Sequence, residues 1–269
     1  MRDDSRRDPR PAPRPAPRPA PNPTRRAVLA GALSLPFAAR ALAVGPASEV
    51  DIAEIQLSTG TVSRPEAWTR LLFELLQSTS VEAEPRVVQV APDDPALFRH
   101  PFAVLTGNDA FPPLSEAASQ QLVRYLSYGG FLFIDDTSGE SESAFDTSVR
   151  AMIRRLFPTR PLTTLPSDHS VYRAFFLLRE PVGRVALHRT LEGVAQGSMH
   201  PLLYSRDDVS GALDRRADGS NALPCTPGGE LQRREAVKLG INILMYGLTS
   251  NYKQDQAHVE QLIREGRLE

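Results

Sequence analysis

Apolar positions recur along this chain with two alternating periods, and the alternation predicts an α/β layered domain. Residues 50–57 (VDIAEIQL) alternate with period two, which predicts a strand with one covered face. Pro65 suits the first turn of a helix whose Trp68, Leu71, Leu72, Leu75 and Leu76 form a single apolar stripe. Residues 86–90 and 102–106 read as the second and third strands, the latter running into the turn Gly107-Asn108-Asp109. Ser115 and Glu116 open a helix that carries Leu122, Tyr125 and Leu126 toward the sheet and stops at Gly129-Gly130. The uninterrupted run Phe131-Leu132-Phe133-Ile134 predicts a central strand buried on both faces, and it ends at Asp135-Asp136. A helix through Val149, Met152, Ile153, Leu156 and Phe157 follows, ended by Pro158.

The periodicity loosens from Leu162 to Ser210, where short strands are expected at 171–178, 184–187 and 202–205. Residues 214–230, rich in Asp, Arg, Gly and Pro, read as an exposed loop holding Cys225. An apolar helix is expected over 231–248, and the charged residues 253–269 read as a tail.

The first 43 residues change the picture of where the protein works. Repeats such as Pro11-Ala12-Pro13-Arg14 have almost nothing apolar to bury and predict a disordered, extended arm. Arg25-Arg26, a short apolar run and the small-x-small site Ala41-Leu42-Ala43 read as a twin-arginine export signal, cleaved after Ala43. The run from Ala27 to Ala39 is shorter than the roughly 20 residues a membrane span needs. The expected location is the periplasm or beyond, with no stable transmembrane span after cleavage. The α/β domain is then expected over residues 44–252.

The whole chain has a formal net charge of −1, but residues 1–43 contain nine arginines and three aspartates, so the remainder is acidic. An acidic body argues against a nucleic-acid partner. The single cysteine excludes an intramolecular disulfide, so stability must come from a packed core.

Candidate chemistry concentrates at Asp135 and Asp136. Ligands of open α/β sheets bind beyond the carboxyl ends of the strands. Two carboxylates there could hold a divalent cation or act as acid and base. The competing reading is that one of them caps the helix starting near Ser143. Asp168-His169 could orient a proton-transfer group or supply a metal ligand, with Asp146 and Asp208 as further rim candidates. His100 and His258 read as surface residues. Zinc-site spacing, a nucleophile elbow, a P-loop and a dinucleotide fingerprint are absent from the sequence.

Taken together, Phe102–Gly107, Tyr125–Asp136, Phe145-Asp146, Leu156-Phe157-Pro158, Asp168-His169, Leu191–Val194, Ser205–Asp208 and Leu239–Ile243 resemble the DUF4159 family, a bacterial domain of unknown function. The resemblance spans about residues 49–250. It implies a class I glutamine amidotransferase-like, flavodoxin-like three-layer sandwich with a mostly parallel central sheet. It also implies association with von Willebrand A domains and a MoxR-type ATPase in an envelope complex. Relatives are often fused to a membrane-anchored region, whereas this sequence carries an export signal. In amidotransferases the nucleophilic cysteine follows a central strand, a place that Asp135-Asp136 would take here, and glutaminase chemistry is then not expected. Two functions follow as expectations. One is a non-catalytic ligand- or partner-binding module using Asp135, Asp136 and His169. The other is a metal-assisted hydrolase of an envelope saccharide or amide, with Asp136 and His169 as its working pair.

Overall fold

The computed structural model describes residues 50–81 and 83–264, without the side chains of residues 83, 84 and 250–264. Arg25, Arg26, Ala41 and Ala43, expected to form an export signal, lie outside the described residues, and so does the side chain of His258. The elements run β1 (Val50–Ile55), α1 (Pro65–Ser78), β2 (Ala83–Val90), β3 (Phe102–Gly107), α2 (Glu116–Ser127), β4 (Phe131–Asp136) and α3 (Ala144–Leu156). They continue with β5 (Leu162–Thr164), β6 (Leu191–Gln196), β7 (Met199–Ser205), α4 (Val209–Leu213) and α5 (Gly229–Arg264). One seven-stranded sheet has the order β2-β1-β3-β4-β7-β6-β5. It is parallel from β2 through β7, and β6 alone runs against its neighbours.

Side-chain parity divides the core. Phe131 and Phe133 of β4 pack with Trp68, Leu71 and Leu72 of α1 and with Leu239, Ile243 and Leu244 of α5. Leu132 and Ile134 pack on the opposite face with Leu122 and Leu126 of α2 and Val149 and Ile153 of α3. Helices therefore cover both faces, which gives the α/β layered domain that the hydrophobic pattern predicts, in the three-layer form that the family resemblance implies. No helix among the described residues is long and apolar enough to cross a membrane.

Local chemistry sets the helix boundaries. Pro65 occupies the first turn of α1, Ser115 Oγ caps α2 by accepting the Ala118 N–H, and Ser143 Oγ caps α3 by accepting the Asp146 N–H.

Several expected elements differ. Both faces of β1 are buried, because Asp51 and Glu54 are paired inside: Asp51 with His100 Nδ1 at 2.6 Å, and Glu54 with Ser63 Oγ at 2.6 Å. His100 is accordingly a buried residue and not a surface one. Residues 171–178 form a 3₁₀ turn and irregular chain in place of a strand. Asn242 of α5 takes the role of a pairing strand there, accepting from the Phe175 and Phe176 N–H groups and donating to the carbonyls of Val171 and Phe176. Residues 184–187 are likewise no strand, since the carbonyls of Asp207 and Asp208 accept the Val185 and Arg184 N–H groups at 3.1 and 2.9 Å. The loop after α4 is exposed only in part. Cys225 is buried, and Gln232 Nε2 reaches the Thr226 carbonyl at 2.9 Å. The last helix starts earlier and ends later than its apolar stretch, running through Arg264.

Candidate functional site: the carboxyl edge of the sheet

Asp135 and Asp136 sit at the carboxyl end of β4, but consecutive residues of a strand point to opposite faces. Asp135 follows the parity of Phe131 and Phe133 and turns toward α4. Its two oxygens accept the Val209 N–H at 2.9 Å and the Ser210 N–H at 2.7 Å. Asp136 turns toward α3, accepting the Ser138 N–H at 2.9 Å and the Ser143 hydroxyl at 2.5 Å. One carboxylate thus anchors the N-terminus of α4, and the other holds the residue that caps α3. Complete burial raises the Asp135 pKa to about 7, with the neighbouring charge of Asp208 adding to the rise.

The next two acids complete the edge. Asp208 has φ of 54°, and its carboxylate accepts the Gly211 N–H at 2.8 Å. It also pairs with Arg64 Nη1 at 2.7 Å and with Arg184 Nε. Asp207 accepts the backbone N–H groups of Leu187, His188 and Arg189, at 3.3, 2.9 and 2.7 Å. Asp146 lies on the α3 side, where it accepts from Tyr204 Oη and Arg150 Nε, both at 3.0 Å. Arg150 also reaches Glu192 at 2.7 Å. Burial, followed by the charges of Asp136 and Asp146, raises the Tyr204 pKa, so its phenol stays a donor.

His169 is not part of this edge, which corrects the expected grouping. Its Nε2 lies 3.1 Å from His200 Nδ1, near the start of β7. Ser205, the residue paired with Asp135, ends that strand five residues later, about 16 Å away at strand rise. The Val171 N–H donates to His169 Nδ1 at 3.2 Å. That fixes the proton of the neutral ring on Nε2, where it is donated to His200. Burial lowers both histidine pKa values, that of His169 to about 4.

The crevice beside the switch in strand order, between β1 and β3, is closed by the chain itself. Thr61 bridges Gly107, Asn108 N–H donates to the Gly60 carbonyl at 3.1 Å, and a Cβ on Gly107 would collide with Phe145 and with that carbonyl. Among the described residues, no group of three or more His, Cys, Asp or Glu side chains is arranged to hold a metal ion.

The profile described as a domain of unknown function, DUF4159, matches residues 51–248. The chain belongs to the DUF4159 family. Among curated proteins none matches its sequence. The family match covers every strand of the DUF4159 sheet but the first residue of β1, and every acid of the carboxyl edge.

Two of those acids build a wall. Asp207 and Asp208 hold residues 184–189, and Gln232 Nε2 donates to the carbonyls of Gly183 and Arg184 at 2.8 and 2.9 Å. A groove of about 610 Å3 opens beside this segment, lined in part by Leu177, Val182, Ala186 and Leu231. Leu177 is 86% and Leu231 68% exposed. Sequence reasoning missed Arg64, Arg184 and Gln232. They stand apart in sequence from the acids and carbonyls they hold, and only the fold brings them together.

Proposed function

We propose that the protein is an exported, non-catalytic partner-binding module of the bacterial cell envelope. The carrying observation is that the acids of the sheet's carboxyl edge are spent on backbone N–H groups, hydroxyls and arginines, and that Asp207 and Asp208 hold a preformed apolar groove. Leu177 and Leu231 expose large apolar side chains on it, an arrangement typical of interaction sites. A groove whose wall is locked before binding spends less free energy on ordering when a partner docks. Arg189 pairs with Glu180 at 3.0 Å, whereas Arg179 and Arg234 have no ion-pair partner among the described residues. The occupant that fits is a partner segment with apolar side chains flanked by carboxylates.

Export by the twin-arginine route rests on Arg25-Arg26 and the Ala41-Leu42-Ala43 site. The DUF4159 resemblance supports an amidotransferase-like ancestry, with Asp135-Asp136 in place of the nucleophile, and an envelope partner carrying a von Willebrand A domain. The hydrolase reading draws no support from His169, which faces His200 and not the acidic pair.

The test is binding of the full chain to the von Willebrand A-domain protein of the same bacterium, measured by biolayer interferometry. The double variant Leu177→Asp/Leu231→Asp, folded by circular dichroism, is expected to bind at least about tenfold more weakly. Equal binding by the variant, or no binding by the wild type, overturns the proposal.

A further inference from the structure

A second cavity, of about 320 Å3, lies between α1, the segment after α4 and the first turns of α5. Arg70, Arg215, Arg233, Arg234 and Lys238 line it, against only two carboxylates, Glu74 and Glu230. Those two are already engaged: Glu74 lies 3.4 Å from Arg70 Nε, and Glu230 lies 3.0 Å from Arg233 Nε. Lys238 pairs outside the cavity lining with Glu235, at 2.7 Å. The guanidinium groups of Arg215 and Arg234 make no hydrogen bond or ion pair among the described residues.

Arg70 is held loosely, with its other contacts at 3.3 Å to the Leu213 carbonyl and 3.4 Å to Asn221 Oδ1. These lengths lie beyond ordinary N–H···O bonds. Burial, followed by repulsion from Arg215, lowers the Arg70 pKa. A surplus of cations gathered in a cavity of an otherwise acidic body is relieved by an anion.

We propose that this cavity binds a soluble phosphate monoester. Arg70 and Arg215 present planar donor forks suited to a phosphoryl group, and Arg234 adds charge. The volume exceeds that of a phosphate group, and Phe176, Val237 and Ile241 offer an apolar wall to a small organic body. Arg234 lines both this cavity and the partner groove, whereas Arg215 lines only this cavity, so substitution of Arg215 tests this inference apart from the partner groove.

Isothermal titration of the full chain with inorganic phosphate and with glycerol phosphate tests it, beside Arg215→Glu, Arg215→Gln and the control Arg154→Glu. Arg154 is exposed on α3, a helix packed on the other face of the sheet, and the arginine-rich residues 1–43 are common to all four proteins. The expected result is saturable binding that weakens at least about tenfold in both Arg215 variants and is unchanged in Arg154→Glu. No saturable binding up to about 10 mM, or equal binding by the Arg215 variants, overturns the proposal. Binding to phosphatidate vesicles without binding to the soluble esters overturns the assignment to a soluble ligand.

Discussion

The Ser143 hydroxyl donates to Asp136 Oδ2 at 2.5 Å, while its oxygen accepts the Asp146 N–H and caps α3. A carboxylate at the end of the central strand therefore acts on a helix terminus through one serine. Ser143→Ala is expected to cost about 1 kcal/mol, the usual worth of such a cap. Asp136→Ala should cost about 1–3 kcal/mol by leaving the buried hydroxyl without its acceptor. Urea unfolding of both single variants and the double variant should reveal a coupling of at least about 0.5 kcal/mol. Strict additivity would show that the two residues do not act as a unit.

Asp135 predicts an unusual pH dependence. Its carboxyl has a folded pKa of about 7 because of burial and the Asp208 charge, above the ordinary carboxylate value. The folded protein then binds this proton more readily than the unfolded chain. The associated stability is fully present below about pH 4 and is lost as pH rises through 7. Asp135→Asn cannot titrate, so its stability relative to wild type should rise between pH 4 and 7. A constant difference across that range would show that Asp135 is ionised throughout. Asp135→Ala removes the acceptor for two buried N–H groups and should cost about 2–4 kcal/mol.

The histidine pair predicts the opposite slope. Burial, with the neighbouring His200 adding to it, lowers the His169 pKa to about 4, below its value in the unfolded chain. The contribution is present above about pH 6.5 and is lost as pH falls from 6.5 toward 4. His169→Gln should flatten that acid limb in thermal unfolding followed from pH 7.5 to 4.5. Because His169 is only half-buried, solvent screening keeps the effect to about 1 kcal/mol. An unchanged acid limb would mean that the pair is not held neutral by the fold.

Gly107 closes the crevice beside the strand-order switch. A methyl group there meets Phe145 and the Gly60 carbonyl, one of which must move. Gly107→Ala should destabilise by about 1–3 kcal/mol through overpacking, read as a lowered denaturation midpoint. A variant as stable as wild type would show that the loop over this crevice opens freely.

Much of this architecture was legible in the sequence. Period-3.6 stripes placed α1 to α3, and alternation or short apolar runs placed β1 to β4 and β7, because apolar spacing along one element reports the face it buries. Ser115, Ser143 and Pro65 marked helix starts for the same local reason. The acids at the end of β4 were visible too, as was the alternation that sends neighbouring strand residues to opposite faces. Asp135 and Asp136 were nonetheless read as one pair, and the structure turns them to opposite faces.

The remainder depended on partners distant in sequence. Residues 171–178 carry a strand-like composition, yet Asn242 supplies their hydrogen bonds and leaves them coiled. Arg64 and Arg184 reach Asp208 from different segments, and His169 meets His200 at the other end of the sheet. Hydrophobic periodicity encodes which face of an element is buried, so the sequence by itself determined the layers. It carries no record of which segment supplies the donor to a buried carboxylate. Only tertiary packing decided that Asp207 and Asp208 hold residues 184–189, and that two arginine-lined cavities open beside α5.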